Sequence, residues 1–306
     1  MRKVLSTLVL MLLFTCTVFA EADFDEGYVT ADGYGLPAVS ADTPAQARLT
    51  ARRAAIVDAQ RMLAEYVAGV NVTAETTVES LQVSSDVVKT KTSALIKNAA
   101  IVDEESSNGA YRVRLSMPMY GATRSLASAV MPSIRGNEAP KPFIKPEALP
   151  EAKPEIKPEI PDVKPEVVAE PEAEPEPRTE VTVNVKVMPT STASVDHAGS
   201  YTGLVVDCSG LGLRPVMSPV IYTDGGVPVY GHKNLDSKKV ISNGMASYTT
   251  SDVGNMARAG ANPFIVKAVA LDRGANPVIS TNDAQRVLAE NNMTHFLDNC
   301  AVVFVR

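Results

Sequence analysis

The sequence predicts an α+β protein in which two small mixed helix-and-sheet layers are joined by a long extended linker. Three observations predict it. Residues Ala139 to Thr179 form a Pro/Glu/Lys-rich run with few side chains able to build a core. On both sides of that run, the apolar pattern alternates between a period of two and a helical period. Glycine, asparagine and proline clusters punctuate both flanks at short intervals, as compact layered domains require. The boundaries that follow are 1–20 for an export signal, 21–138 for a first domain, 139–179 for the linker and 180–306 for a second domain.

The signal expectation rests on Arg2 and Lys3, followed by the uncharged apolar stretch Val4 to Phe14 and then small and polar residues. Cleavage after Ala20 or after Ala22 fits the small-residue rule, so the mature chain begins near Glu21. The apolar stretch is too short to span a bilayer as a helix, and no later segment approaches the roughly 20 residues needed. No transmembrane span is expected after signal removal, which places the chain in the periplasm or against the outer envelope. Cys16 is the candidate lipidation site, although the preceding Leu13-Phe14-Thr15 is bulkier than a lipobox normally is.

The first domain opens with Tyr28 to Ala31 as a strand running into Asp32-Gly33-Tyr34-Gly35, a glycine-rich turn. Thr43-Pro44-Ala45-Gln46 is a capping box with proline at the first helical position, and Gly69 marks the stop. The helix between them carries Leu49, Ile56 and Leu63 at seven-residue spacing, with Ala59 and Tyr66 beside them, as the face expected to pack on a sheet. Val70 to Val78 alternates and is rich in Val and Thr, which predicts a strand. Ser85 to Lys97 suits a second helix, and Ala99 to Glu105 with Tyr111 to Met119 a closing hairpin. The predicted order is βαβαββ.

These phrases carry a family resemblance. Gly33-Tyr34-Gly35-Leu36-Pro37, the helix stretch Ala51 to Glu65, Gly69-Val70-Asn71-Val72, Glu75-Thr76-Thr77-Val78 and Tyr111-Arg112-Val113-Arg114-Leu115 with Tyr120-Gly121 occur in order. Together they resemble the small bacterial twenty-kilodalton lipoprotein family and the related amino-terminal domain of flagellar assembly protein T. The resemblance implies a bacterial envelope setting, with flagellar association as its narrower form. It implies no enzymatic activity and no catalytic residues.

The linker is expected to be extended and polyproline-II-like, because each proline fixes its φ and removes a backbone donor. At about 3.1 Å per residue, it predicts a separation of up to roughly 120 Å between the flanking domains. Between Ala139 and Glu180, six Lys/Arg stand against eleven Asp/Glu, so this segment alone contributes −5 to a formal net charge of −6. An acidic chain of this kind gives no electrostatic basis for nucleic-acid binding.

In the second domain, Val181 to Met188 and Tyr201 to Cys208 are expected strands. Ser218 to Thr223 and Val227 to Tyr230 are expected to form a hairpin around Asp224-Gly225-Gly226. Ser251 to Ala259 and Asn282 to Asn292 follow as helices, Pro263 to Leu271 as one buried strand and Cys300 to Val305 as the closing strand. Asp207, Ser209 and Arg214 are the candidate ligand-binding residues. A loop leaving a buried strand can gather a carboxylate, a hydroxyl and a guanidinium, and the guanidinium can grip a carboxylate or phosphate. The other reading is a turn in which Asp207 and Ser209 cap the backbone and Arg214 neutralises Asp207.

Cys208 and Cys300 are the candidate disulfide pair in an oxidising compartment, with two buried thiols as the other reading. His197, His232 and His295 lack the close paired spacings of a metal site, so neither a metal nor a cofactor is expected. No catalytic residues are assigned. The functional expectation is a non-enzymatic exported protein that binds or positions envelope proteins or murein. The alternative is a periplasmic carrier or sensor of a small anionic ligand, using the second domain.

Overall fold

The computed structural model describes residues 20–24, 26–107, 109–135, 139–143, 199–250 and 256–306. The expected signal over residues 1–19 with Cys16, nearly all of the linker, the strand Val181 to Met188 and the first part of the Ser251 helix lie outside the described residues. The fold class is α+β, as expected.

The first half is an antiparallel sheet with helices against one face. β1 (Ala20–Asp23), β2 (Tyr28–Gly35), β3 (Ala100–Ser107) and β4 (Ala110–Pro118) lie in the order β1-β2-β4-β3. α1 (Pro44–Gly69) starts at the expected capping box, in which the Thr43 hydroxyl accepts from the Gln46 amide at 3.2 Å and Gln46 Oε1 accepts from the Thr43 amide at 3.1 Å.

The buried stripe of α1 differs from the expected one. It is Ala51, Ala55, Ala59, Leu63 and Val67, whereas Leu49 is 67% exposed and Tyr66 lies at the surface. The cause lies in β2. A Cβ on Gly33 would stand 2.1 Å from the Ala59 amide nitrogen, and one on Gly35 would stand 2.1 Å from the Ala51 carbonyl oxygen. The segment Asp32 to Gly35, expected as a turn, is strand paired with β4 throughout; its two glycines and three alanines on the helix let the two backbones touch, and that seam fixes which face turns inward. The Tyr34 amide donates to Asp58 Oδ2 at 3.0 Å and locks the register.

The expected strand at Val70 to Val78 is replaced by a loop with one bridge, Asn71 to Thr77, so the predicted order βαβαββ is corrected to ββαααββα. Thr73 Oγ1 accepts from the amides of Glu75 and Thr76, and Thr77 caps α2 (Val78–Ser84). The threonines that suggested a strand satisfy the backbone locally instead. Ser85 then caps α3 (Asp86–Lys97), β3 and β4 form the expected hairpin, and α4 (Leu126–Arg135) follows.

On the sheet face away from α1, Arg114 holds both Asp32 oxygens at 2.9 and 2.6 Å, and Arg112 reaches Asp32, Asp103 and Glu105. Burial pushes the Asp32 carboxyl up, but the two guanidinium groups outweigh it and hold it below the usual carboxylate range.

The second half contains two sheets. β5 (Gly203–Asp207), β8 (Ser247–Thr249), β9 (Pro263–Lys267) and β12 (Val302–Val305) form an all-parallel sheet in the order β8-β12-β5-β9. Its central strands read Leu-Val-Val and Val-Val-Phe-Val because both faces are covered. β6 (Ile221–Thr223), β7 (Pro228–Tyr230), β10 (Ala270–Asp272) and β11 (Asn276–Ile279) form a mixed sheet in the order β10-β11-β6-β7. The expected single strand Pro263 to Leu271 is therefore two, which serve different sheets on either side of Ala268 and Val269. α5 (Ser237–Asn243) and α6 (Thr281–Thr294) complete the half, with Asp236 and Ser280 as their caps. The expected helix ending at Ala259 is, over its described part, a single 3-10 turn at Ala257–Ala259.

The two halves share one continuous hydrophobic core within a single compact unit. The expectation that the linker holds them apart is corrected accordingly: the segments on either side of it pack together. The amides of Met217 and Ser218 donate to the carbonyls of Asn71 and Val72 at 3.0 and 2.8 Å, and the Gly121 amide to Ile241 at 2.9 Å. Phe24 meets Tyr248 edge-on, with ring centroids 5.6 Å apart. Tyr120 lies over Gly244, where φ is +72° and a Cβ would stand 2.8 Å from the ring. Glu75 pairs with Arg273. The alternating linker composition gave no hint of these contacts, because the apolar surfaces that meet belong to elements on either side of it.

Candidate functional site

The junction between the halves encloses a cleft of about 720 Å³. Its first-half wall is β1 with Phe24 and the carboxy-terminal end of α1, which presents Glu65 and Tyr66. Its second-half wall is Arg214 and Pro215 from the loop after β5, the end of β8 with Tyr248, and Arg306 beyond β12. β1 is there because it pairs with β2 in antiparallel register, Ala22 opposite Val29. Arg306 is there because its amide donates to the Thr249 carbonyl at 2.9 Å, continuing the β8–β12 pairing.

Arg214 is exposed, and its Nη2 donates to the carbonyls of Ala74 at 3.1 Å and Arg273 at 3.4 Å. Among the described residues, its Nε and Nη1 have no hydrogen-bond acceptor, and neither has the Arg306 side chain. Asp207 and Ser209 lie elsewhere. The Ser209 amide donates to Asp207 Oδ1 at 2.9 Å, and Lys267 stands beside them on the paired strand β9. Hydrogen bonding from Ser209 outweighs burial and, with the Lys267 charge, holds the Asp207 carboxyl below its usual range. The structure thus brings Asp207 and Ser209 together as a capped turn and sends Arg214 to the junction. The grouping of all three at one ligand is corrected. Four residues separate Ser209 from Arg214, with positive φ at Gly210 and Gly212, and the chain turns away between them.

Cys208 and Cys300 are both buried free thiols, so the candidate disulfide is corrected as well. Parallel pairing of β5 with β12 sets Leu204 opposite Val302 and Asp207 opposite Val305, which puts the two cysteines at opposite ends of the strand pair. At about 3.3 Å per residue, they stand roughly 20 Å apart along the strands, far beyond bridging reach. Burial, with the Asp207 charge, pushes the Cys208 thiol up to about 12.

A second cleft of about 550 Å³ is lined by the Thr73 to Glu75 loop and the mixed sheet. Here Ser218 Oγ lies 3.1 Å from His232 Nδ1, a pairing that sequence reasoning missed. The signal was present in the β6–β7 hairpin, since Ser218 and His232 flank it and the register places Ile221 opposite Tyr230. Ser218 is 1% exposed, its hydroxyl also meets Met245 Sδ at 3.4 Å, and its amide is used at the junction. Such a hydroxyl is a packing clasp and offers no surface to a substrate. Among the described residues, no group of three or more His, Cys, Asp or Glu side chains is placed to hold a metal ion, and no helix is long and apolar enough to cross a membrane.

Residues 203–306, the span from β5 to the end of the chain, match the family described as Treponema pallidum Tp0624, second domain. That is a likeness of the second half alone. Among curated proteins, none matches the chain.

Proposed function

We propose that the chain is an exported protein of the cell envelope that binds other envelope components, proteins or murein, without chemical turnover, and that binding takes place in the junction cleft. The observation that carries this reading is the cleft itself: it is built from both halves, has the volume of a ligand site and is lined by charged and aromatic side chains. Export follows from the Arg2-Lys3 and Val4 to Phe14 pattern. A flagellar role would be the narrower form of the same reading and follows from the resemblance of the first half.

In-cell crosslinking with mass spectrometry, together with the mature amino terminus, tests the proposal. The expected result is a species beginning near Glu21 that is crosslinked to particular envelope proteins or to murein, with the crosslinks weakened at least severalfold by Arg306→Ala. A folded, exported protein without reproducible crosslinks would overturn it. The second reading, a small-anion carrier, is favoured by Arg214 and Arg306 facing one cleft with guanidinium nitrogens unused among the described residues. It predicts saturable stabilisation by small anions that Arg306→Ala removes.

A further inference from the structure

We propose that the junction cleft takes a short extended peptide with both ends free, its ammonium group toward the first half and its carboxylate toward the second. This rests on the reading of the cleft as the binding site and names the class of ligand. The cleft's charges are segregated by half. Glu21, Asp23 and Glu65 all come from the first half, whereas Arg214 and Arg306 come from the second. A purely anionic ligand would meet three carboxylates, and a purely cationic one would meet two guanidinium groups. A ligand carrying one charge of each sign at its two ends matches both walls.

The degree of engagement sharpens the assignment. Glu65 is already shared with Arg61 at 2.9 Å, and Asp23 Oδ1 accepts the Glu26 amide at 2.9 Å. Glu21 has no side-chain partner among the described residues and is the carboxylate best placed to take an ammonium group. On the opposite wall, Arg306 is the corresponding guanidinium without an acceptor among the described residues, and its planar fork suits a carboxylate.

Between the charged walls, Phe24, Tyr66 and Tyr248 supply apolar surface for side chains. Among the described residues, β1 is the outer strand of its sheet, so one edge of its backbone is not used there and can pair with an extended chain. A volume of about 720 Å³ accommodates a few residues of an extended chain.

The test uses the chain from Ala20 to Arg306, in which β1 and Glu21 are complete, and a randomised tetrapeptide library in three forms: ends free, amino end acetylated and carboxyl end amidated. Retained peptides are counted by mass spectrometry after equilibrium dialysis. The free-ended library is expected to be retained about tenfold over each capped form. Arg306→Ala should abolish the preference over the amidated library and leave the preference over the acetylated one, and Glu21→Gln should do the reverse. Both variants change exposed side chains, and the Arg306 amide keeps its bond to Thr249. Equal retention of all three libraries, retention of none, or a carboxyl preference that survives Arg306→Ala would overturn the proposal. If tetrapeptides fail while Arg306-dependent crosslinks to envelope components persist, the ligand class falls and the cleft reading stands. If those crosslinks also fail, both fall.

Discussion

The two halves solve the same packing problem in opposite ways. In the first, α1 lies on β2 through a seam of Gly33 and Gly35 against Ala51, Ala55 and Ala59, with the two backbones in contact. In the second, the core of the parallel sheet is filled by large side chains, among them Leu204, Phe296 and Phe304, all at most 2% exposed. A seam of small residues has no volume to lose and no room for more, whereas a bulky core has much to lose. The halves should therefore be sensitive to substitutions of opposite sign.

The largest expected effect is in the second half. Phe304→Ala should cost about 3–5 kcal/mol through lost burial and the cavity left behind, whereas Phe304→Leu should cost far less. Denaturant titration measures both. Next comes Gly33→Ala, expected to cost about 3 kcal/mol, the top of the overpacking range, because the added methyl meets helix backbone and no side chain can move aside. Gly69→Ala, at the end of the helix that Gly33 packs against, is the contrast. A Cβ there meets nothing within 4 Å, so the change should stabilise by about 0.5–1 kcal/mol through helix propensity. If Gly33→Ala proved as mild as Gly69→Ala, the seam would not be the device that sets the α1 face.

A smaller effect is expected on the outer face of the first sheet. Asp32→Asn should cost about 1–2 kcal/mol at neutral pH, after allowing for solvent around its arginine partners. Because the folded carboxyl is held below its ordinary value, its contribution is fully present above the unfolded pKa of about 3.9 and is lost as pH falls through the folded value. The gap between the native protein and Asp32→Asn should therefore close below about pH 4. A gap that widened with acid would contradict the assigned sign.

Much of this architecture was legible locally. The Thr43 capping box, Ser85, the β3–β4 hairpin and the Asp224-Gly225-Gly226 turn are short-range devices, and each appears where its residues indicated. Ala59 and Leu63 lie on the inward face of α1 as expected, but Leu49 and Tyr66 do not, because bulk is a poor signal for burial where the partner strand has glycines that admit only alanine. Asp236 and Gly244 bracket α5 and could have revealed it, but β8 has only three residues and is defined by its neighbour β12.

The cleft was less legible than the elements that line it. Arg214 was recognisable as a candidate for an anionic group. Its separation from Asp207, and its company with Arg306 and β1, arise from the packing of two segments separated by an acidic, proline-rich run, and that packing leaves no periodic trace. The same holds for the free thiols, whose roughly 20 Å separation follows from parallel register rather than from spacing in the chain.

The central claim is that residues on both sides of the linker form one unit with one core, which creates the cleft. The most direct measurement is to insert a site-specific protease sequence after Glu170, cleave the folded protein and follow the products by size-exclusion chromatography in native buffer. The account predicts that the two fragments co-elute as a one-to-one pair and separate only in denaturant. Two folded fragments that elute independently would contradict it.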